Sequence, residues 1–389
     1  MFDIDATIRP WWDALVAETG PLSLYDAHTH IGANDPDGFR QRPEELIASF
    51  ERVGARAVTF PMHEPDGYPA ANDVAIATAR ESGGRVEAFC RVDPRVDALA
   101  EATRCLDAGA KGIKLHPRAE QFTLAEPGVR DVVALAHERR VPVLIHAGRG
   151  IPALGRDTVR LSGEFPGARL ILAHGAISDL AWLWQVLPEH PNVFIDTAWW
   201  NPADLIALFT LVGPGHVLYA SDSPYGAPLN SAVIALRCAL QAGLTAEQIR
   251  LVAGGQLERL LAGEEPADGG PPPGQVVALD PHHERVVTHL ISGLGRAFGG
   301  GDPSEPIALA RLACAVGDGD PQARHFASVL RLLDLFAEHR DTPAPDQRRI
   351  PPAGRLLVAA IAVARTPDVP VPDLAEAPEP TREEAERVA

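Results

Sequence analysis

Two histidines stand two residues apart in the segment YDAHTHIG, at His28 and His30. Side chains of an extended strand alternate between its faces, so both imidazoles project from one face and form half of a metal site. Alone, such a pair is more often a matter of turn or surface histidines. It does not stand alone, because PVLIHAG ends in His146, LILAHGA ends in His174, and VLYASDSPYG places Asp222 just after another apolar run. Imidazole and carboxylate are the side chains that hold divalent metals and move protons at neutral pH.

Those residues need elements that bring them together. Short runs rich in Val, Ile and Leu occur at 22–26, 56–60, 86–91, 112–115, 142–145, 170–173, 193–196 and 217–221. Between them lie stretches such as PEELIASFERVG, VRDVVALAHERR and DLAWLWQVLPE, whose apolar residues recur at helical spacing. Eight βα alternations within about 240 residues predict an α/β chain whose first part is a (β/α)8 TIM barrel. The competing fold, a doubly wound open sheet, lacks its Gly-x-Gly-x-x-Gly turn after the first strand. In a parallel barrel all strand ends of one sense share one rim, so His28, His30, His146, His174 and Asp222 converge there.

The barrel is expected over residues 1–264, followed by a Pro/Gly-rich linker at 265–275 within EEPADGGPPPGQ. Helical patterns resume in PHHERVVTHLISGLGRAF, EPIALARLACAVG, ARHFASVLRLLDLFAEHR and GRLLVAAIAVART, which predicts a small α-helical region over 276–370. No site is visible there, so this region is read as stabilising or oligomerising, and a homo-oligomer is allowed. Residues 371–389 carry six acidic and two basic side chains among several prolines and read as a solvated acidic tail.

As an ordered series, DAHTH, GIKLHP, VLIHAG, LILAHG, VFIDTA and YASDSPYG resemble the amidohydrolase superfamily, in particular its amidohydrolase-related (amidohydrolase-2) branch of metal-dependent barrel hydrolases and decarboxylases. The resemblance covers residues 22–262. It implies one divalent metal ion, zinc first, held by His28, His30, His146 and Asp222. It further implies that Asp222 handles the proton of the attacking water and that His174 polarises or protonates the reacting group. Three neutral donors and one anion leave net positive charge on such a site, which lowers the pKa of a bound water toward about 7. Iron, cobalt and manganese accept the same ligands. Lys114 and His116 in GIKLHPR remain open. They line the site or contact substrate in the mononuclear pattern, whereas a carbamylated Lys114 would bridge two metals and make His174 a ligand.

Further candidates follow the strand ends, where loops line the mouth of a barrel. Arg118, Arg149, Trp199 and Tyr225 are expected to face substrate, with Trp200 beside them, and an arginine there can grip a carboxylate in a bidentate pair. Asp196 is placed to orient a metal-bound imidazole. His63 is undecided between ligand and bystander, and His282 and His283 are read as an exposed helix start.

The 389-residue chain has 35 basic against 52 acidic side chains, a formal charge of −17, which excludes nucleic-acid binding driven by bulk charge. The longest clean apolar run, residues 356–364, is far short of a membrane span, and the N-terminal residues lack the pattern of a secretory signal. Four widely spaced cysteines argue against a disulfide framework, so a reduced, cytoplasmic protein is expected. The leading expectation is a metal-dependent hydrolase attacking an amide- or ester-type carbonyl of a small anionic molecule. The alternatives are a non-oxidative decarboxylase on the same metal site and a catalytically idle barrel that binds a ligand.

Overall fold

Strands and helices alternate from near the N-terminus. The computed structural model describes residues 2–274, 278–317, 319–342 and 352–373. In chain order the elements are α1 (Ile4–Thr19), β1 (Tyr25–Ile31), α2 (Pro43–Val53), β2 (Arg56–Pro61), α3 (Pro69–Glu81), β3 (Val86–Arg91), α4 (Ala98–Asp107), β4 (Gly112–Leu115) and α5 (Pro127–Arg139). There follow β5 (Pro142–Ile145), α6 (Leu154–Glu164), β6 (Arg169–Leu172), α7 (Leu180–Leu183), β7 (Val193–Asp196), α8 (Pro202–Leu211), β8 (Val217–Leu218), α9 (Pro228–Ala242), α10 (Ala246–Arg250) and α11 (Gln256–Leu261). Beyond the barrel lie α12 (Pro281–Phe298), α13 (Ser304–Ala313), α14 (Ala323–His339) and α15 (Gly354–Arg365).

Among the described residues, eight strands pair in parallel in the order β1 to β8. The seam between β8 and β1 is joined by backbone bonds, Ala27 N to Tyr219 O at 3.0 Å, His30 N to Ser223 O at 2.8 Å and Asp222 N to His28 O at 2.9 Å. Asp26 adds to the seam, its Oδ1 accepting from the N–H of both His28 and Ser221 at 3.0 Å. The expected (β/α)8 barrel is therefore the fold.

Strand alternation divides the apolar residues into two cores. Val58, Phe60, Phe89, Leu144, Ile171, Phe194 and Leu218 fill the interior with Leu257 and Leu260 of α11. The alternate residues, such as Ile113, Val143, Leu170, Val193 and Val217, belong to the layer between strands and helices. In β1 the alternation breaks. Its register against β2 shifts between Asp26 and Thr29, so Tyr25 and Ala27 lie with the interior cluster and, one step later, His28 and His30 also face the interior. A bulge re-aims side chains in this way.

Of the strand boundaries that differ from the sequence reading, two bear on the site. The first strand is 25–31 rather than 22–26, so both histidines lie within it, and the eighth stops at Leu218 because Tyr219 N turns to Val252 O. Segment DLAWLWQVLPE forms one helical turn, α7, and a separate short turn at Leu187–Glu189. Its apolar spacing is helical, but Pro188 lacks an N–H to continue the ladder.

Residues 265–274 carry no regular structure and cross the barrel closely packed. Gln256 Oε1 accepts from Ala267 N at 3.0 Å, and a Cβ at Gly215 would lie 2.1 Å from Asp268 O. The C-terminal helices share the outer core of the barrel. The longest apolar run of the chain forms α15, buried from Leu356 to Ala364 because α8 and α9 lie on one side and α12 and α14 on the other. A helix apolar all round is a buried one. The fully buried Arg237 of α9 ties down its end, donating to Thr366 Oγ1 and O and to the carbonyls of Val369 and Pro370.

His283 corrects the reading of an exposed helix start. His282 is exposed, but His283 is fully buried, since it continues the stripe of Val286, Val287 and Leu290, and its Nδ1 lies 2.6 Å from Asp280 Oδ2. The acidic tail lies outside the described residues from 374 on. The four cysteines are buried and unpaired, and no described helix is long and apolar enough to cross a membrane.

Candidate active site at the rim of the barrel

His28 Nδ1 lies 2.8 Å from Asp196 Oδ2 at the end of β7. An imidazole N–H facing a carboxylate donates, which leaves the His28 Nε2 lone pair pointing away from Asp196. That Nε2 is 3.2 Å from His30 Nε2 and 3.2 Å from Asp222 Oδ1, and His30 Nε2 is 3.0 Å from the same oxygen. Three ligand atoms thus converge on one point, and they form a group able to hold a metal ion. Tetrahedral zinc with bonds of about 2.0–2.1 Å separates its ligands by roughly 3.3 Å, close to these spacings. The donor set fits a divalent ion.

Asp196 orients more than one partner. Its Oδ1 accepts from the backbone N–H of His174 at 2.8 Å and of Ala198 at 3.0 Å. Burial pushes its carboxyl up to about 7, against the pull of those donors and of Lys114. Burial likewise raises Asp222 to about 6, opposed by His174 and Lys114. It also holds His28, His30, His116 and His146 well below the usual imidazole range, helped by neighbouring positive charge. Neutral imidazole is the form that binds metal.

His174 and Asp222 share a backbone feature, φ of 59° at both. Continued alternation past Ile171 and Ala173 would turn His174 outward, and the left-handed residue swings it over the site instead. Such conformations cost about 1–3 kcal/mol and persist only where neighbours enforce them. His174 Nδ1 donates to Ala198 O at 2.8 Å, so its Nε2 accepts from His146 Nδ1 at 2.9 Å. His146 therefore lies outside the three-ligand group, stacked on His116 at 3.9 Å, with its Nε2 buried and unpartnered. A Cβ at Gly148 would fall 2.7 Å from that Nε2, so glycine makes room for the ring.

Lys114 is fully buried between β3 and β5, its Nζ 3.4 Å from His28 Nε2 and 4.7 Å above the Phe60 ring. Burial and Arg91 lower its ammonium to about 7. Tyr225 stands edge-on to His30, its hydroxyl donating to Asp35 Oδ2 at 2.5 Å. Trp199 donates to Asp204, and the exposed Arg149 lies 5.9 Å over its ring. Trp200 packs against Trp199 and against Phe298 of α12. Arg118 is exposed, and its charge reaches His146. His63 stands apart from the ligand group, its Nδ1 3.9 Å from Glu120 Oε1.

One polar cluster escaped the sequence reading. Arg91, the last residue of β3, is buried with Nη2 donating to Glu120 Oε1 at 2.5 Å, and the same oxygen accepts from Tyr68 OH. The logic of strand ends applies to Arg91 as it does to the histidines. Glu120 lies in a loop and carries no comparable signal.

The family model Amidohydro_2, described as amidohydrolase, matches residues 25–261. No curated protein matches significantly. Among solved structures, the chain is similar to 5-carboxyvanillate decarboxylase from Sphingomonas paucimobilis at 17% identity and a TM-score of 0.50, covering 62% of this chain and 99% of that one. An uncharacterized TIM-barrel protein from Bordetella bronchiseptica gives the same identity, TM-score and coverage. At this identity the likeness extends to the fold alone. By the family match over most of its barrel, the chain belongs to the amidohydrolase family.

Proposed function

We propose that this chain is a metal-dependent hydrolase acting on an amide- or ester-type carbonyl of a small anionic substrate. The observation that carries the reading is the convergence of His28 Nε2, His30 Nε2 and Asp222 Oδ1 within 3.0–3.2 Å of one another at the rim. A divalent ion bound there, zinc first, would polarise a carbonyl and acidify water. His28, His30 and Asp222 would hold it, and His146 can join them through its unpartnered Nε2 by leaving His174.

The remaining roles belong to the chain itself. Asp222, which reaches the ligand group through Oδ1, keeps Oδ2 to accept a proton from an attacking water. His174, once released from His146, turns its Nε2 toward the reacting group while Ala198 O holds its Nδ1–H. Arg149 at the mouth, its cation lying over the Trp199 ring, offers a guanidinium to an anion, and Tyr225 walls the site beside His30.

Non-oxidative decarboxylation is the second reading, favoured by the exposed Arg149 at the mouth, able to hold a carboxylate. The related fold of a decarboxylase is consistent with it. Metal content per chain, in wild type and Asp222→Asn, tests the site. Near one equivalent, reduced in the variant, is expected. Two equivalents would make Lys114 a carbamylated bridge and His174 a ligand, and none after metal is added back would refute the enzyme reading in favour of a ligand-binding barrel. Carbon dioxide release against carboxylate or alcohol release in a substrate screen separates the two chemistries.

A further inference from the structure

The loop that presents Asp222 is held from outside the barrel. Tyr225 N and Gly226 N both donate to Asp222 O, at 2.7 and 3.1 Å, closing a tight turn around a residue whose φ is 59°. The outer side of that turn exposes the carbonyls of Pro224 and Tyr225. Arg355, in the first turn of α15, donates its Nη2 to both, at 2.7 and 2.9 Å. Arg355 lies beyond residues 25–261, the part matched by the family model.

The anchoring around this contact is extensive. Where the loop enters α9, Asp5 Oδ1 of α1 accepts from Leu229 N and Asn230 N at 3.0 and 2.9 Å. Arg355 lies close enough to Asp5 for its charge to oppose the rise of that carboxyl. At the far end of α15, the buried Arg237 of α9 grips the carbonyls of residues 366, 369 and 370. Helix α15 is thus fixed to α9 at one end and to the Asp222 loop at the other. A second contact reaches the same mouth, where Phe298 of α12 packs edge-on against Trp200.

We propose that the C-terminal helices complete the active site, with Arg355 as a positioning residue that holds the 222–226 turn so that Asp222 Oδ1 meets His28 and His30. This rests on the metal-site reading above. A guanidinium donating to two carbonyls stabilises a turn whose left-handed aspartate is otherwise disfavoured. Without it, Asp222 samples other orientations while the strand-borne histidines stay in place.

The test uses the full chain carrying Arg355→Gln or Arg355→Lys, with Arg331→Gln on the exposed face of α14 as a control. Two quantities are read: hydrogen exchange of the peptide spanning 222–226 in metal-free protein, and zinc affinity by competition with a chelator. The expectation for Arg355→Gln is exchange in this peptide faster by about tenfold and zinc affinity weaker by a similar factor, with the control at wild-type values. Lysine, able to keep one carbonyl bond, should recover part of both effects, and it carries the comparison where glutamine prevents folding. Unchanged exchange in the variants overturns the proposal, and so does faster exchange with wild-type zinc affinity. A wild-type protein that binds no zinc refutes the metal reading instead, and the exchange measurement still decides whether Arg355 holds the turn.

Discussion

The bond between Asp196 and His28 allows a perturbation that leaves the fold in place and changes a single proton. In Asp196→Asn the side-chain oxygen still accepts from the N–H groups of His174 and Ala198, the two backbone bonds made by Oδ1. The amide nitrogen then occupies the place of Oδ2, 2.8 Å from His28 Nδ1, and presents a donor where an acceptor stood. The opposite orientation would set that nitrogen against two backbone donors and lose both bonds, so it is disfavoured. His28 must therefore take the other tautomer, with its proton on Nε2. That nitrogen is the atom lying 3.2 Å from both His30 Nε2 and Asp222 Oδ1, so the proton fills the position a metal would occupy. Loss of such an orienting carboxylate typically weakens metal binding about 10–100-fold, which corresponds to roughly 1.4–2.8 kcal/mol. Zinc affinity at neutral pH by chelator competition measures the effect, and nitrogen NMR of His28 reports the tautomer. A folded variant binding zinc within about threefold of wild type would refute the tautomer argument.

Two further outcomes follow from buried charge outside the ligand group. Glu120→Ala leaves the buried Arg91 guanidinium without its carboxylate and should cost about 3–5 kcal/mol in urea unfolding; a loss below about 1 kcal/mol would show that Pro61 O and water satisfy Arg91 by themselves. In α14, burial lowers His325 to about 4 while its Nε2 donates to Val363 O. The unfolded state then binds the extra proton below the ordinary histidine value, so stability present above about pH 6.5 is lost as pH falls toward 4, by up to about 3 kcal/mol. Unfolding of His325→Gln across that range should be flatter than wild type, and parallel curves would assign the acid loss to other groups.

The chemistry-bearing residues of the strand ends were legible because a parallel barrel gives sequence position a geometric meaning. Any residue just past an apolar run lies on the same rim, so His28, His30, His146, His174 and Asp222 could be grouped without knowing one contact. The same reasoning reaches Arg91, though a single arginine after FC lacked the contrast that a histidine provides. Glu120, Tyr68 and Arg355 were out of reach, since they come from loops and a distant helix whose approach depends on packing. The buried face of His283 was misjudged because a polar residue at a helix start is usually solvated, whereas here Asp280 caps the helix and pairs with the ring.

The sequence alone thus determined the barrel, the rim and the kinds of side chain on it, because period-two alternation and βα connectivity are local properties repeated eight times. Tertiary structure decided how those side chains aim. The register shift in β1 turns His28 and His30 inward, left-handed residues swing His174 and Asp222 over the site, and His146 sits with His174 rather than with the three converging ligands. Each of these depends on hydrogen bonds between segments up to 195 residues apart, such as Asp26 to Ser221, and no local pattern encodes a bond across that separation.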